Sequence, residues 1–185
     1  MNVVEMDLPG VKIVEPRVFG DERGFFMETW NGPRYEGAGI AGRFVQDNMS
    51  RSEGGVLRGL HLQHPHAQGK LVWAVEGEVF DVAVDVRVGS PTFAHWVGLR
   101  LSADNKRQLW VPPGFAHGFC VTSDRATVSY KCTELYDSSS ELGVAWNDAS
   151  IGINWPVRDP RVSEKDAASL PLHEIAPERL PHYVP

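Results

Sequence analysis

An all-β sandwich or barrel with few short helices is what the pattern of this chain predicts. Short runs rich in Val, Trp, Phe and Tyr recur at close spacing between Lys70 and about Cys132: KLVWAVE, EVFDVAVDV, HWVGLRL, RQLWVPP and ATVSYKC. EGE, VGSPT and SADNK supply turn residues between them. In EVFDVAVDV, Phe80, Val82, Val84 and Val86 alternate with Val79, Asp81, Ala83 and Asp85, the period of a strand with one greasy face. Helix is expected in two places, around Pro33 to Gly37 and from Glu164 to Ser169, where Ser163 is a suitable N-cap. With 185 residues, 42% hydrophobic and 23% charged, the chain fits one globular domain over 1–185. Residues 171–185, with Pro171, Pro177, Pro181 and Pro185, read as an irregular tail packed on the surface.

Eighteen basic against 24 acidic residues give a formal charge of -6, which argues against a nucleic-acid or anionic-membrane partner. No apolar run approaches the roughly 18 residues of a membrane helix. The start, MNVVEMDLPG, carries two acids and no basic stretch leading into an apolar one, so a secretory signal is not expected and the cytoplasm is the expected compartment. Cys120 and Cys132 are too few for a disulfide framework and read as buried free thiols.

Chemistry concentrates in RGLHLQHPHAQGKLV, from Arg58 to Val72, where three histidines precede a lysine. Imidazole is both the commonest side-chain metal ligand and the usual general base near neutral pH. The spacing resembles the first cupin motif, HxH, three or four residues, Glu, six residues, Gly: His64 and His66 are followed by Lys70 and then Gly77. The second cupin motif is matched by Pro112, Gly114 and His117, with Val121 where Asn is usual. Lys70 stands where the metal-binding carboxylate belongs, and an ammonium has no lone pair to donate and repels a divalent ion. Pairing His61 with Gln63 instead still leaves too few ligands. A cupin jelly roll without a metal is therefore expected. Pro65 suits a turn better than a strand, which makes His64 and His66 solvent-exposed turn residues with no assigned role.

Without a metal, the segment still suits proton abstraction beside a ketone. That reaction needs a base at the carbon and a positive or donating group at the carbonyl oxygen, roles open to His61 and Lys70. Inversion needs an acid on the opposite face, and Tyr130 in SYKC is a strand residue able to project into a barrel. A base histidine works best with a carboxylate fixing its tautomer.

Many ordered motifs resemble one family, the dTDP-4-dehydrorhamnose 3,5-epimerases, metal-free cupins of nucleotide-sugar metabolism. They run from FGDERGFFMETW, FVQDN, VLRGLHLQ and QGKLV through GEVFDVAVDVR, SPTF and LSADNKRQLWVPPGFAHGF to YKCTELY, WND, GINWP and SEKDAA. The resemblance implies His61 as proton acceptor, Tyr130 as proton donor and Asp166 as partner of His61, over a hundred positions away. It places Lys70 and Arg58 at the 4-keto oxygen and phosphates, and His117 along the sugar pocket. Arg23, Glu28, Gln46, Asn48, Glu141 and Lys165 match positions that bind nucleotide and pyrophosphate, with Phe19 and Phe26 as candidates against the thymine ring. The implied reaction is epimerisation of dTDP-4-keto-6-deoxy-glucose at C-3 and C-5, with no cofactor, because the substrate ketone acidifies both carbons. The family also implies a homodimer whose N-terminal strands cross to the partner, so that ERGFF serves the neighbouring subunit's site.

Two positions depart from the family pattern: Met49 follows FVQDN where His is common, and Trp73 follows QGKLV where a basic residue is common. Contact of either with substrate would alter the nucleotide or the degree of epimerisation. A single-site epimerase of a dTDP-4-keto sugar, a non-catalytic nucleotide-sugar-binding cupin and a metal-dependent cupin are the alternatives.

Overall fold

In the computed structural model, which describes residues 1–184, strands dominate. They are β1 (Asn2–Glu5), β2 (Lys12–Glu15), β3 (Val18–Asp21), β4 (Gly24–Met27), β5 (Gln46–Glu53), β6 (Leu57–Gln63) and β7 (Lys70–Glu76), followed by β8 (Glu78–Asp85), β9 (Trp96–Ser102), β10 (Gln108–Val111), β11 (Phe115–Val121), β12 (Arg125–Cys132) and β13 (Glu141–Gly143). One sheet has the order β1-β2-β10-β7-β12-β5, the other β13-β6-β11-β8-β9, and β3 and β4 form a separate hairpin. The predicted all-β sandwich is found. The five predicted strands appear as β7, β8, β9, β10 and β12, while β1 to β6, β11 and β13 add to them.

Both predicted helices form. α1 (Gly32–Gly37) is capped by Asn31, whose side chain accepts from the Arg34 backbone, and α2 (Glu164–Ala167) by Ser163, which accepts from the Asp166 backbone at 3.1 Å.

Val72, Ala74 and Val128 of the first sheet meet Val79, Ala83, Leu101, Phe119 and Val121 of the second in the central core. The outer face of the second sheet is also covered: Val82, Val84, Val86 and Leu60 pack under Ile151, Leu172, Ile175 and Leu180. The expectation of one greasy face for EVFDVAVDV is thereby corrected, because both faces of β8 are buried and the chain beyond residue 150 supplies the second cover. Asp81 and Asp85, read as the polar face, are fully buried and held by hydrogen bonds instead. On the first sheet's outer face, Tyr35 of α1 and Ile40 cover Val14, Leu71 and Trp110 at one end only. Leu172–Glu174 and Pro177–Arg179 are short 3₁₀ turns, with Leu172 and Leu180 buried. Cys120 and Cys132 are free and buried. Among the described residues, no helix is long and apolar enough to cross a membrane.

Candidate active site

Strand alternation selects what faces the space between the sheets. β12 pairs with both β5 and β7, setting Tyr130 beside Asn48 and Val72, and Cys132 beside Gln46 and Lys70. Side chains two apart share a face, so Gln46, Asn48, Lys70 and Tyr130 all line one cavity of about 260 Å³. β6 closes it from the other sheet with His61 and Gln63, and Glu141 and Tyr136 stand at its side. β6 comes close to β11 because Gly59 (φ +132°) faces Gly118; a Cβ at Gly59 would lie 2.6 Å from the Gly118 Cα.

His61 Nε2 lies 2.6 Å from Asp166 Oδ1. The side chains are 32% and 6% exposed, an open imidazole on a buried carboxylate. α2 delivers Asp166, and the Gly59 backbone N–H donates to its second oxygen at 3.3 Å. Burial alone would raise the Asp166 pKa, but the bonds from His61, Gly59 and Ser163 outweigh it and hold the carboxyl below its usual range. With Nε2 committed to Asp166, the other ring nitrogen, Nδ1, is the atom left to take a proton.

Burial pushes the Tyr130 phenol up, with Cys132 and Glu141 adding to the rise and Arg58 opposing it, so the group is a protonated donor at neutral pH. Lys70 is shifted the other way: burial lowers its pKa, against the pull of Cys132, Asp81 and Glu141. Glu141 accepts from the Tyr136 hydroxyl at 2.8 Å and pairs with Lys165. Gln46 donates to Asn48 at 3.0 Å and accepts from the Tyr136 backbone at 2.8 Å, fixing the far wall.

Arg58 and Lys165 line an adjoining groove of about 340 Å³ that shares His61 and Glu141 with the cavity. Arg58 is exposed, and its Nε donates to Ser52 at 3.0 Å. His117 is the cross-strand partner of His61 on β11, beside it in the ladder and buried, with Nε2 2.8 Å from Asp81 Oδ1. Phe19, Arg23 and Phe26 sit on the β3–β4 hairpin around a separate pocket, and Glu28 pairs with Arg34 at 2.8 Å. These four are not brought to the cavity of their own chain. His66 is exposed in the turn after β6; His64, expected to be exposed, is half-buried because its backbone N–H is tied to the Ser140 carbonyl at 2.9 Å.

Leu62, Gln63, Gln68 and Tyr136 also line the cavity and carry no substrate-binding role in the sequence reading; the signal for Tyr136 is its place in the quoted YKCTELY run, six positions after Tyr130, and that for Gln68 its place in QGKLV. Met49 and Trp73 pair across Ser129, one step out of phase with Asn48, Tyr130 and Val72, and so face away from the cavity. Among the described residues, no three His, Cys, Asp or Glu side chains gather as a metal-binding group.

A jelly-roll sandwich with a carboxylate-paired histidine, a phenol and an ammonium opening onto one polar cavity belongs to the cupin enzymes equipped for acid–base chemistry at carbon. The chain belongs to the dTDP-4-dehydrorhamnose 3,5-epimerase family, which it matches over residues 5–174. It is 60% identical over 168 residues to the dTDP-4-dehydrorhamnose 3,5-epimerase of Shigella flexneri, covering 90% of this chain and 93% of that one. The dTDP-4-dehydrorhamnose 3-epimerase of Streptomyces niveus is 39% identical, over 94% of this chain and 85% of its own. The Legionella pneumophila 3,5-epimerase, solved in complex with dTDP-4-keto-L-rhamnose, superimposes with a TM-score of 0.97 at 52% identity, covering 100% of this chain and 99% of that chain.

Proposed function

We propose that the chain inverts C-3 and C-5 of dTDP-4-dehydro-6-deoxy-D-glucose to give dTDP-4-dehydro-L-rhamnose, with His61 as base and Tyr130 as acid. The observation that carries the assignment is the 2.6 Å His61–Asp166 pair opening on the same cavity as Tyr130 and Lys70. His61 takes the proton from the carbon beside the ketone, and Asp166 stabilises the imidazolium that results. Electron density moves to the 4-keto oxygen, where the Lys70 ammonium meets it. Tyr130 returns a proton to the opposite face, which inverts the centre. The ketone itself acidifies both carbons, so the proposed reaction calls for no cofactor.

Arg58, Lys165, Glu141, Gln46 and Asn48 hold the nucleotide end, and His117 backs the sugar. Phe19, Arg23, Phe26 and Glu28 act on a partner's substrate in a homodimer whose hairpins cross between subunits. The exposure of Phe19 (51%), Phe25 (61%) and Phe26 (70%) on a two-stranded hairpin supports that arrangement. The proposed compartment is the cytoplasm, where buried free thiols such as Cys120 and Cys132 stay reduced.

Incubation with dTDP-4-keto-6-deoxy-glucose in deuterated water is expected to place deuterium at C-3 and C-5, read by NMR of the sugar. Deuterium at one carbon alone would make the enzyme a single-site epimerase, and none at either would remove the epimerase reading.

A further inference from the structure

The segment that follows β12, residues 133–139, has no buried residue, and Leu135 and Tyr136 within it are exposed. With so little apolar packing, its place beside the cavity is set by hydrogen bonds. The Gly69 N–H donates to Thr133 Oγ1 at 2.8 Å, the Gln68 carboxamide to the Glu134 carbonyl at 2.9 Å, and the Tyr136 N–H to Gln46 at 2.8 Å.

Gln63, the last residue of β6, makes the largest share of these bonds. Its nitrogen donates to the His66 carbonyl at 2.9 Å and to the Leu135 carbonyl at 3.2 Å, and its oxygen accepts from the Asp137 N–H at 3.0 Å. Both amide protons and the oxygen are thus engaged, in a residue only 4% exposed that also lines the cavity. Two carbonyls need a donor and one N–H needs an acceptor, a combination that a carboxamide supplies and a carboxylate or an apolar chain does not. The turn containing His64 and His66 gains a part through its backbone: the His66 carbonyl anchors Gln63, and the His64 N–H donates to the Ser140 carbonyl at 2.9 Å.

Tyr136 sits between the two points, Leu135 and Asp137, that Gln63 holds. Its side chain lines the cavity, and its hydroxyl donates to Glu141, which pairs with Lys165 of the adjoining groove. A shift of this loop would therefore disturb the wall of the cavity and the groove together while leaving the His61–Asp166 pair in place.

We propose that Gln63 is a positioning residue for substrate binding: its carboxamide ties the β6–β7 turn to the loop after β12 and thereby sets Tyr136, and through it Glu141, at the cavity. The inference rests on the reading of this cavity and groove as the dTDP-sugar site.

Gln63→Met tests it, because the chain length is kept and all three bonds are lost. In protein labelled with 3-fluorotyrosine, the Tyr136 resonance, identified by its loss in Tyr136→Phe, is expected to move in Gln63→Met without ligand while those of Tyr35 and Tyr183 stay. KM is expected to rise about 10-fold with kcat within about threefold. Adding Tyr136→Phe to Gln63→Met is expected to raise KM no more than about twofold beyond the larger single effect, because both act through one side chain. Should Gln63→Met fail to fold, Gln63→Glu, which keeps the acceptor for Asp137 and loses both donors, is read in the same way. An unchanged KM overturns the inference, as do effects of the two substitutions that multiply, or a kcat that falls as far as KM rises. If the unsubstituted protein binds no dTDP by calorimetry, the reading of the site fails instead, and the fluorine resonance still decides whether Gln63 places Tyr136.

Discussion

Two histidine–aspartate pairs lie on opposite sides of one rung of the β6–β11 ladder, His61 with Asp166 and His117 with Asp81. Their bonds are alike, 2.6 and 2.8 Å. Their surroundings differ: the His61 side chain is 32% exposed and opens on the cavity, whereas His117 is 8% exposed and enclosed. A paired imidazole becomes a base only when its second nitrogen can reach a substrate; enclosed, the same pair is scaffolding. The way each carboxylate arrives also differs. Asp81 comes from β8, the ladder neighbour of β11, while Asp166 comes from α2, 105 positions from His61.

The largest expected effect separates the pairs by function. His61→Ala is expected to lower deuterium exchange at both carbons by about 10³-fold or more with the smaller loss of stability, because water can enter beside Asp166, which keeps its bond from the Gly59 backbone. His117→Ala is expected to do the reverse. It leaves the buried Asp81 carboxyl without its hydrogen-bond partner and opens a cavity, a loss of about 2–4 kcal/mol in urea unfolding, with exchange per folded molecule far less affected. Equal destabilisation by the two substitutions would break the distinction.

Next in size, Asp166→Asn is expected to lower kcat about 10²-fold with KM little changed, because the amide no longer stabilises the imidazolium. A matching rise in KM would make Asp166 a binding group instead. A smaller effect concerns acid. Burial would raise Asp85, Asp148 and Asp166, but their hydrogen bonds hold all three below the usual carboxylate range. The stability they supply is complete above the unfolded value of about pH 4 and drains as pH falls through the lower folded values. Urea midpoints measured downward from pH 6 are expected to show that loss, and Asp85→Asn to flatten it. The smallest effect is at the sheet's outer face. Met49→His, turned away from the cavity by alternation, is expected to leave kcat/KM within about twofold. A larger change would connect that face to the site.

Legibility in the sequence followed the polarity of what each strand faces. KLVWAVE and ATVSYKC were plain because Val, Tyr and Ala alternate against the core. β5, with the sequence QDNMSRSE, was not, since its inner positions Gln46, Asn48, Ser50 and Ser52 include cavity wall and carry no greasy period. β6 was hidden by the glycine that lets it approach β11, and β11 by burial on both faces, which erases alternation. His61, Lys70 and Tyr130 were readable as chemistry, whereas the Asp166 pairing was supplied by family resemblance. Neither spacing nor periodicity signals a carboxylate delivered by a four-residue helix across the fold.

The claim that proton removal and return occur from two sides is tested most directly by Tyr130→Phe. With dTDP-4-keto-6-deoxy-glucose in deuterated water, NMR follows deuterium incorporation and configuration in one sample. Deuterium is expected to keep entering through His61 while inversion falls about 10²-fold or more behind it. Inversion keeping pace with incorporation would contradict Tyr130 as the acid on the second face.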